Sequence, residues 1–245
     1  MDSPTQWFET WFDTKYYHSL YKHRDENEAV YFIQRLLDEL ELATGSRVMD
    51  LACGKGRHSM TLFDAGLRVV GLDLSKNSIL HLKVKETEGL EFHQWDMRER
   101  FKESYFDCVF NLFTSFGYFD DTQENYRVID AIQFGLKHGG RLVLDYLNPR
   151  AITEEEGTTV KKEIDGFVFE TRKFIKEDKI IKSIEVEDDE ETLHFHESVQ
   201  LLDLEDFKQM FESNGMKLEK VFGDYELRPF QPESSPRLIL IALKP

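Results

Sequence analysis

Val48-Met49-Asp50-Leu51-Ala52-Cys53-Gly54-Lys55-Gly56-Arg57-His58 is the stretch whose reading decides the fold. An apolar run carrying one acid stops at a Gly-x-Gly turn, and a helical pattern starts directly behind it. Small residues in such a turn let a ligand approach the backbone, and the helix start offers N–H groups to it. A nucleotide-like ligand belongs there.

Working outward, short apolar runs alternate with helical patterns: RVMDLA (47–52), RVVGLDL (68–74), LEFHQWD (90–96), DCVFNLF (107–113) and RLVLDYL (141–147). This alternation predicts βαβ units, right-handed crossovers and a parallel sheet buried on both faces. Upstream, 28–42 places Val30, Ile33, Leu37 and Leu40 on one helical face, and Thr44-Gly45 ends that element. After Pro149 the segments 166–175, 180–188 and 192–201 alternate apolar with polar residues. They predict a small antiparallel meander with one wet face. The acidic run IEVEDDEE (184–191) reads as a solvated turn within it. The tail supplies a helix at 204–215, ended by Gly215, and two strands, 217–225 and 237–244, that pair as a hairpin on the sheet edge. The fold class expected is therefore α/β: a Rossmann-like, doubly wound, mostly parallel seven-stranded sheet with an antiparallel C-terminal hairpin and a small added antiparallel sheet.

The 245 residues suffice for a full-sized core, and 40% hydrophobic with 32% charged residues is ordinary globular composition. A net charge of −16 repels phosphate backbones and anionic lipid, which disfavours nucleic acid as a partner. Cys53 and Cys108 lie in apolar, strand-like runs and read as buried thiols in a reducing, cytoplasmic setting. The acidic start and the lack of any apolar run of membrane-spanning length predict a protein neither exported nor inserted.

Two further acids sharpen the ligand. Asp73 ends the second run, 23 positions after Asp50, where a carboxylate accepts hydrogen bonds from ribose hydroxyls, with Leu74 beside it. Asp96 ends the third run and is followed by Met97. Three strands thus deliver three carboxylates to one edge of the sheet. A nicotinamide or flavin site would need a third glycine at position 59, where Ser59 stands, and would keep position 50 apolar.

Asp50-Leu-Ala-Cys-Gly54-x-Gly56, Gly71-Leu-Asp73, Asp96-Met97 and Leu136-Lys-His-Gly139-Gly140-Arg-Leu resemble the successive motifs of class I S-adenosylmethionine methyltransferases across about 47–147. The resemblance implies S-adenosylmethionine as cofactor and S-adenosylhomocysteine as product. It places Asp50, Ala52, Gly54 and Gly56 at the methionine moiety, Asp73 at the ribose, and Asp96 with Met97 at the adenine. Ala52 departs from the family, which more often has Gly there. Asn111-Leu112-Phe113-Thr114 stands where amino-group DNA and protein-glutamine methyltransferases carry Asn/Asp-Pro-Pro-Tyr/Phe, which argues against a nucleobase or glutamine amide as acceptor.

Methyl transfer from a sulfonium is an in-line displacement that asks the protein to hold reactants collinear and exclude water, so neither a nucleophile nor a metal is expected. On this reading 1–45 is a helical lid, 46–150 the cofactor core, 151–202 an insert on the acceptor side, and 203–245 the completion of the sheet. The aromatic prefix (Trp7, Phe8, Trp11, Phe12, Tyr16, Tyr17, Tyr21) either packs on a sheet or, with Tyr17 foremost, covers the sulfonium. The prefix and the added sheet are similar in layout to sugar N-methyltransferases. Arg57 is placed to pair with the cofactor carboxylate, and it and His58 read otherwise as solvated helix surface. Asn111 and Phe113 lie where acceptor and sulfonium should meet, or merely cap a strand. Asp145 either faces the acceptor or caps a helix. His194 and His196 share a strand face as a possible base or as ordinary strand histidines. The acceptor expected is a small molecule with an N or O nucleophile. The alternatives are a tRNA or protein acceptor, and a module that binds the cofactor without catalysis.

Overall fold

The computed structural model describes residues 6–22, 26–152, 158–189 and 191–245. Along the chain these form α1 (Trp7–Trp11), α2 (Lys15–Leu20), α3 (Glu26–Leu40), β1 (Arg47–Leu51), α4 (Arg57–Asp64), β2 (Arg68–Asp73), α5 (Lys76–Leu82) and β3 (Leu90–Gln94). There follow β4 (Phe106–Asn111), α6 (Thr122–Gly135), β5 (Leu136–Leu147), β6 (Thr159–Ile164), β7 (Phe167–Lys176), β8 (Lys179–Asp188) and β9 (Glu191–Gln200). The chain closes with α7 (Leu204–Ser213), β10 (Lys217–Phe222) and β11 (Arg237–Leu243).

Two compact units result. The larger comprises Glu26–Ala151 and Leu202–Pro245. Its seven strands run in the order β10-β11-β5-β4-β1-β2-β3. The β1–β2, β2–β3, β1–β4 and β4–β5 pairs are parallel, and β11 is antiparallel to both β5 and β10. The strands are buried almost end to end, Val48 to Leu51 in β1 and Leu142 to Tyr146 in β5, which is why their sequences read as continuous apolar runs rather than alternating ones. The chain winds from β1 through β2 to β3 in one direction, then returns to β4 on the other side of β1. That reversal makes the C-terminal ends of β1 and β4 a topological switch point, the place where open α/β sheets bind ligands.

The sequence reading of α3 needs a correction: Val30 is 52% exposed, and the buried face is Ala29, Phe32, Ile33, Leu36 and Leu40. Those five follow the i, i+3, i+4, i+7 spacing of a single helical stripe better than the set beginning at Val30.

The smaller unit groups the described residues of Met1–Asp25 with Ile152–Leu201. Its sheet is a meander in the order β6-β7-β8-β9, antiparallel throughout. The apolar face of this sheet, Phe169, Ile184 and Val186, packs with Trp11 and Leu20 of α1 and α2. The 1–45 segment is thus divided, its start joining the added sheet and α3 joining the large sheet. The run 184–191 is not mainly a turn, because β8 continues to Asp188 with Ile184 and Val186 buried. Among the described residues no helix is long and apolar enough to cross a membrane.

Candidate active site

Beyond Leu51 the chain turns through three residues in the left-handed region, Ala52 (φ 62°), Gly54 (φ 53°) and Gly56 (φ 78°). Gly56 caps α4, and a Cβ there would lie 2.7 Å from Leu82 Cδ2. Gly54 differs: a Cβ would meet no atom within 4 Å, so its side of the turn opens on free space. Ala52 holds the left-handed conformation despite its Cβ, at a cost of about 1–2 kcal/mol. That conformation, more than clearance, explains why the family more often has glycine there.

The three acids are held in different ways. Asp50 is buried and accepts a 2.5 Å hydrogen bond from Ser59 Oγ. Burial pushes its pKa up to about 6, with the Asp73 charge adding to the rise and Ser59 and Arg57 opposing it. Asp73 accepts the Gly54 N–H on Oδ2 (2.7 Å) and the Ser75 N–H on Oδ1 (2.8 Å), tying the end of β2 to the turn. Asp96, two residues past β3, accepts the backbone N–H of Arg98 (2.9 Å) and its Nε (3.0 Å) and Nη2 (2.5 Å). Partial burial raises its pKa, but the Arg98 bonds outweigh this and hold the carboxyl below the usual range. Arg98 also reaches Glu124 of α6 (2.9 Å) and lies 4.9 Å from the Phe119 ring. Leu74 and Met97 are half-buried beside these acids.

The end of β4 completes the switch point. Asn111 is fully buried, and its Nδ2 donates to Leu51 O and Ser115 O, both at 3.1 Å. Those two carbonyls fix the amide orientation, and Oδ1 is left buried with no hydrogen-bond partner. The Phe113 ring stacks on His58 (4.9 Å, 27°) and sits 4.5 Å from the Arg57 guanidinium. Arg57 Nη2 lies 3.3 Å from His58 Nε2. Asp145 neither faces an acceptor nor caps a helix. It is wholly buried and paired with Arg237 at 2.7 Å. Burial pushes its carboxyl above the usual range, and Arg237 opposes that push.

Asp50, Ala52, Gly54, Gly56, Arg57, Asp73 and Asn111 are therefore linked through the ends of β1, β2 and β4. Tyr17 belongs to the smaller unit, where its ring packs against Trp11 (5.7 Å), Phe12 (4.9 Å) and Tyr21 (5.1 Å). His194 and His196 are exposed on β9 of the same unit, His194 lying 3.4 Å from Glu185. Sequence reasoning missed Ser59 as the partner of Asp50, Arg98 as the partner of Asp96, and Arg237 as the partner of Asp145. Ser59 carries a signal, as a hydroxyl one helical turn past the glycines.

The left-handed turn with its open side at Gly54, the acid ending β2 and the unpartnered amide oxygen ending β4 lie at the C-terminal edge of a Rossmann-like sheet, where open α/β sheets bind ligands. The sequence pattern of the family described as "Methyltransferase domain" matches residues 42–215, and the chain belongs to that family. A cypemycin N-terminal methyltransferase from Streptomyces sp is 29% identical over 203 residues, 80% of this chain and 83% of that protein. Among solved structures, an S-adenosylmethionine-dependent methyltransferase from Clostridium acetobutylicum ATCC 824 has a TM-score of 0.78 at 17% identity, over 93% of this chain and 95% of that one. The sugar N-methyltransferase KedS8 from Streptoalloteichus sp ATCC 53650 has a TM-score of 0.71 at 24% identity, over 93% and 92%. The protein is an S-adenosylmethionine-dependent methyltransferase.

Proposed function

We propose that this enzyme moves a methyl group from S-adenosylmethionine to an amine nitrogen of a small molecule. The observation that carries the cofactor half is the turn itself. It is glycine at two of its three left-handed positions, open beside Gly54, and tied by a backbone bond to Asp73. Asp73 would hold the ribose, Arg57 the carboxylate of the methionine end, and Asp96 with Met97 the adenine. Asp50 adds negative charge behind the turn, and the Asn111 amide oxygen offers an acceptor to a donor entering the site.

The cofactor, when bound, supplies a methyl group on a positively charged sulfur, already activated for displacement. The residues of the chain then have to orient and to exclude water. Phe113 and the buried ends of β1 and β4 supply an apolar wall, and Asn111 a fixed polar atom within it.

Two observations favour nitrogen. The name of the sugar N-methyltransferase specifies nitrogen, and that of the cypemycin N-terminal methyltransferase specifies an amino terminus. A net charge of −16 draws cationic amines and repels polyanions. The test is transfer of label from methyl-labelled S-adenosylmethionine to matched pairs of amino sugars, amino acids and short peptides and their hydroxyl analogues. Label is expected on the amines alone. Label on hydroxyl-only members would move the acceptor atom to oxygen. Binding of S-adenosylhomocysteine with no transfer to any compound would favour a binding module, and tight NAD binding in its place would overturn the site assignment.

A further inference from the structure

Directly after Asn111 the backbone passes through two consecutive non-glycine residues in the left-handed region, Phe113 (φ 57°) and Thr114 (φ 59°). Such a bend persists only where its surroundings over-determine it. Here the surroundings are one ion pair contributed by two strands. Asp145 of β5 accepts the Phe113 N–H on Oδ2 (2.8 Å), and its backbone carbonyl accepts the Thr114 N–H (2.9 Å). Arg237 of β11 donates from Nε to Asp145 Oδ1 (2.8 Å) and from Nη2 to Thr114 Oγ1 (3.0 Å). Tyr225 closes the arrangement, with its hydroxyl 3.4 Å from Asp145 Oδ2 and its ring 5.4 Å from Phe113. What the bracing produces is the placement of the Phe113 ring against His58 and Arg57 at the start of α4.

Strand cohesion does not require this pair. Arg237 stands opposite Leu147 and Asp145 opposite Ile239, so the two are not ladder partners, and β5 and β11 are already joined in register from Arg237↔Leu147 to Leu243↔Arg141 along apolar residues. Buried ion pairs are often replaceable by apolar side chains without loss of stability, so a pair bonded to the bend that follows Asn111 calls for another role. We propose that Asp145 and Arg237 are positioning residues: they lock the 113–114 bend so that Phe113 fixes Arg57 and His58 beside the Gly-x-Gly turn. The functional half of this rests on the reading of Arg57 as the partner of the methionine end, and the bracing itself does not.

The test follows the ring of His58 in protein labelled with carbon-13 histidine, its signal assigned by His58→Gln. Stacking on Phe113 displaces that signal by ring current, and Phe113→Leu defines its position without the ring. Arg237→Met removes the fork at similar volume. It is expected to move the His58 signal toward its Phe113→Leu position and to weaken S-adenosylhomocysteine binding by calorimetry about five- to tenfold. Arg237→Lys, which keeps the charge without the fork, should fall between. Should Arg237→Met not fold, Thr114→Val, which removes only the bond from Arg237 to the bend, is expected to move His58 in the same direction. A folded Arg237→Met, or in its absence a folded Thr114→Val, with His58 at its wild-type position overturns the proposal. Failure of the wild-type protein to bind S-adenosylhomocysteine would sink the role of Arg57 instead, and the His58 signal would still decide the brace.

Discussion

Wholly buried beneath Ser59 and repelled by Asp73, the Asp50 carboxyl titrates near pH 6 in the folded chain, against about 3.9 in an unfolded one. Between those values the folded state binds the extra proton, so stability attributable to this group falls as pH rises from about 4 to 6 and is level above that. A shift of about two units corresponds to roughly 3 kcal/mol at most. Asp50→Asn is therefore expected to gain on the wild type by about 1–3 kcal/mol between pH 4 and 7, in denaturant unfolding followed at each pH. A difference that does not change with pH would show that Asp50 ionises without penalty. An acid kept where its charge is costly suits a site for a cationic ligand, and this is why Asp50 stood out in the sequence: a carboxylate inside an apolar strand is conspicuous. The partners of Asp50, Asp96 and Asp145 were far less legible. Ser59, Arg98 and Arg237 are ordinary residues in a linear reading, and only folding brings Arg237 to Asp145 from 92 positions away.

At the scale of elements, the two glycines of the turn carry different loads. Gly54→Ala places a Cβ in open space at φ 53°, so the expected loss is the conformational one, about 1 kcal/mol in urea unfolding. Gly56→Ala adds a contact of 2.7 Å with Leu82 at the start of α4, and its loss should exceed that of Gly54→Ala by about 1–3 kcal/mol. Cofactor affinity should rank differently, because at the proposed site the methyl at 54 would enter the open space beside the turn. Calorimetry with S-adenosylhomocysteine should show Gly54→Ala weakened about tenfold or more while most of its stability remains. Equal stabilities and equal affinities in the two variants would refute the distinction. Elements that bury both faces or alternate cleanly were readable in the sequence, since burial imposes their pattern. The strand β6 (Thr159–Ile164) was not, because every residue but Ile164 is exposed and nothing constrains its polarity. Val30 misled for the opposite reason, an apolar residue standing in solvent on α3.

Among the described residues, one apolar cluster lies at the seven-stranded sheet and another at the meander, each within its own unit. The sequence showed the aromatic prefix without showing where it packs, because helical spacing specifies a face and not the partner of that face. Trp11 is the centre of the smaller cluster. It is 1% exposed, lies 4.8 Å from the Phe195 ring and donates from Nε1 to Glu197 at 2.8 Å. Truncating a buried tryptophan costs about 3–5 kcal/mol, a large fraction of what a unit with so few buried apolar residues can hold. Local opening free energies differ across a structure when its cores are separate. Trp11→Ala is therefore expected to raise amide exchange throughout β7, β8 and β9 while β1, β4 and β5 keep their protection. Trp11→Phe retains most of the ring and loses only the bond to Glu197, which Tyr21 also contacts at 2.8 Å, so its loss should stay near about 1 kcal/mol. Exchange accelerating equally in both sheets of Trp11→Ala would mean that the two clusters melt as one cooperative unit and that the N-terminal helices stabilise the methyltransferase core itself.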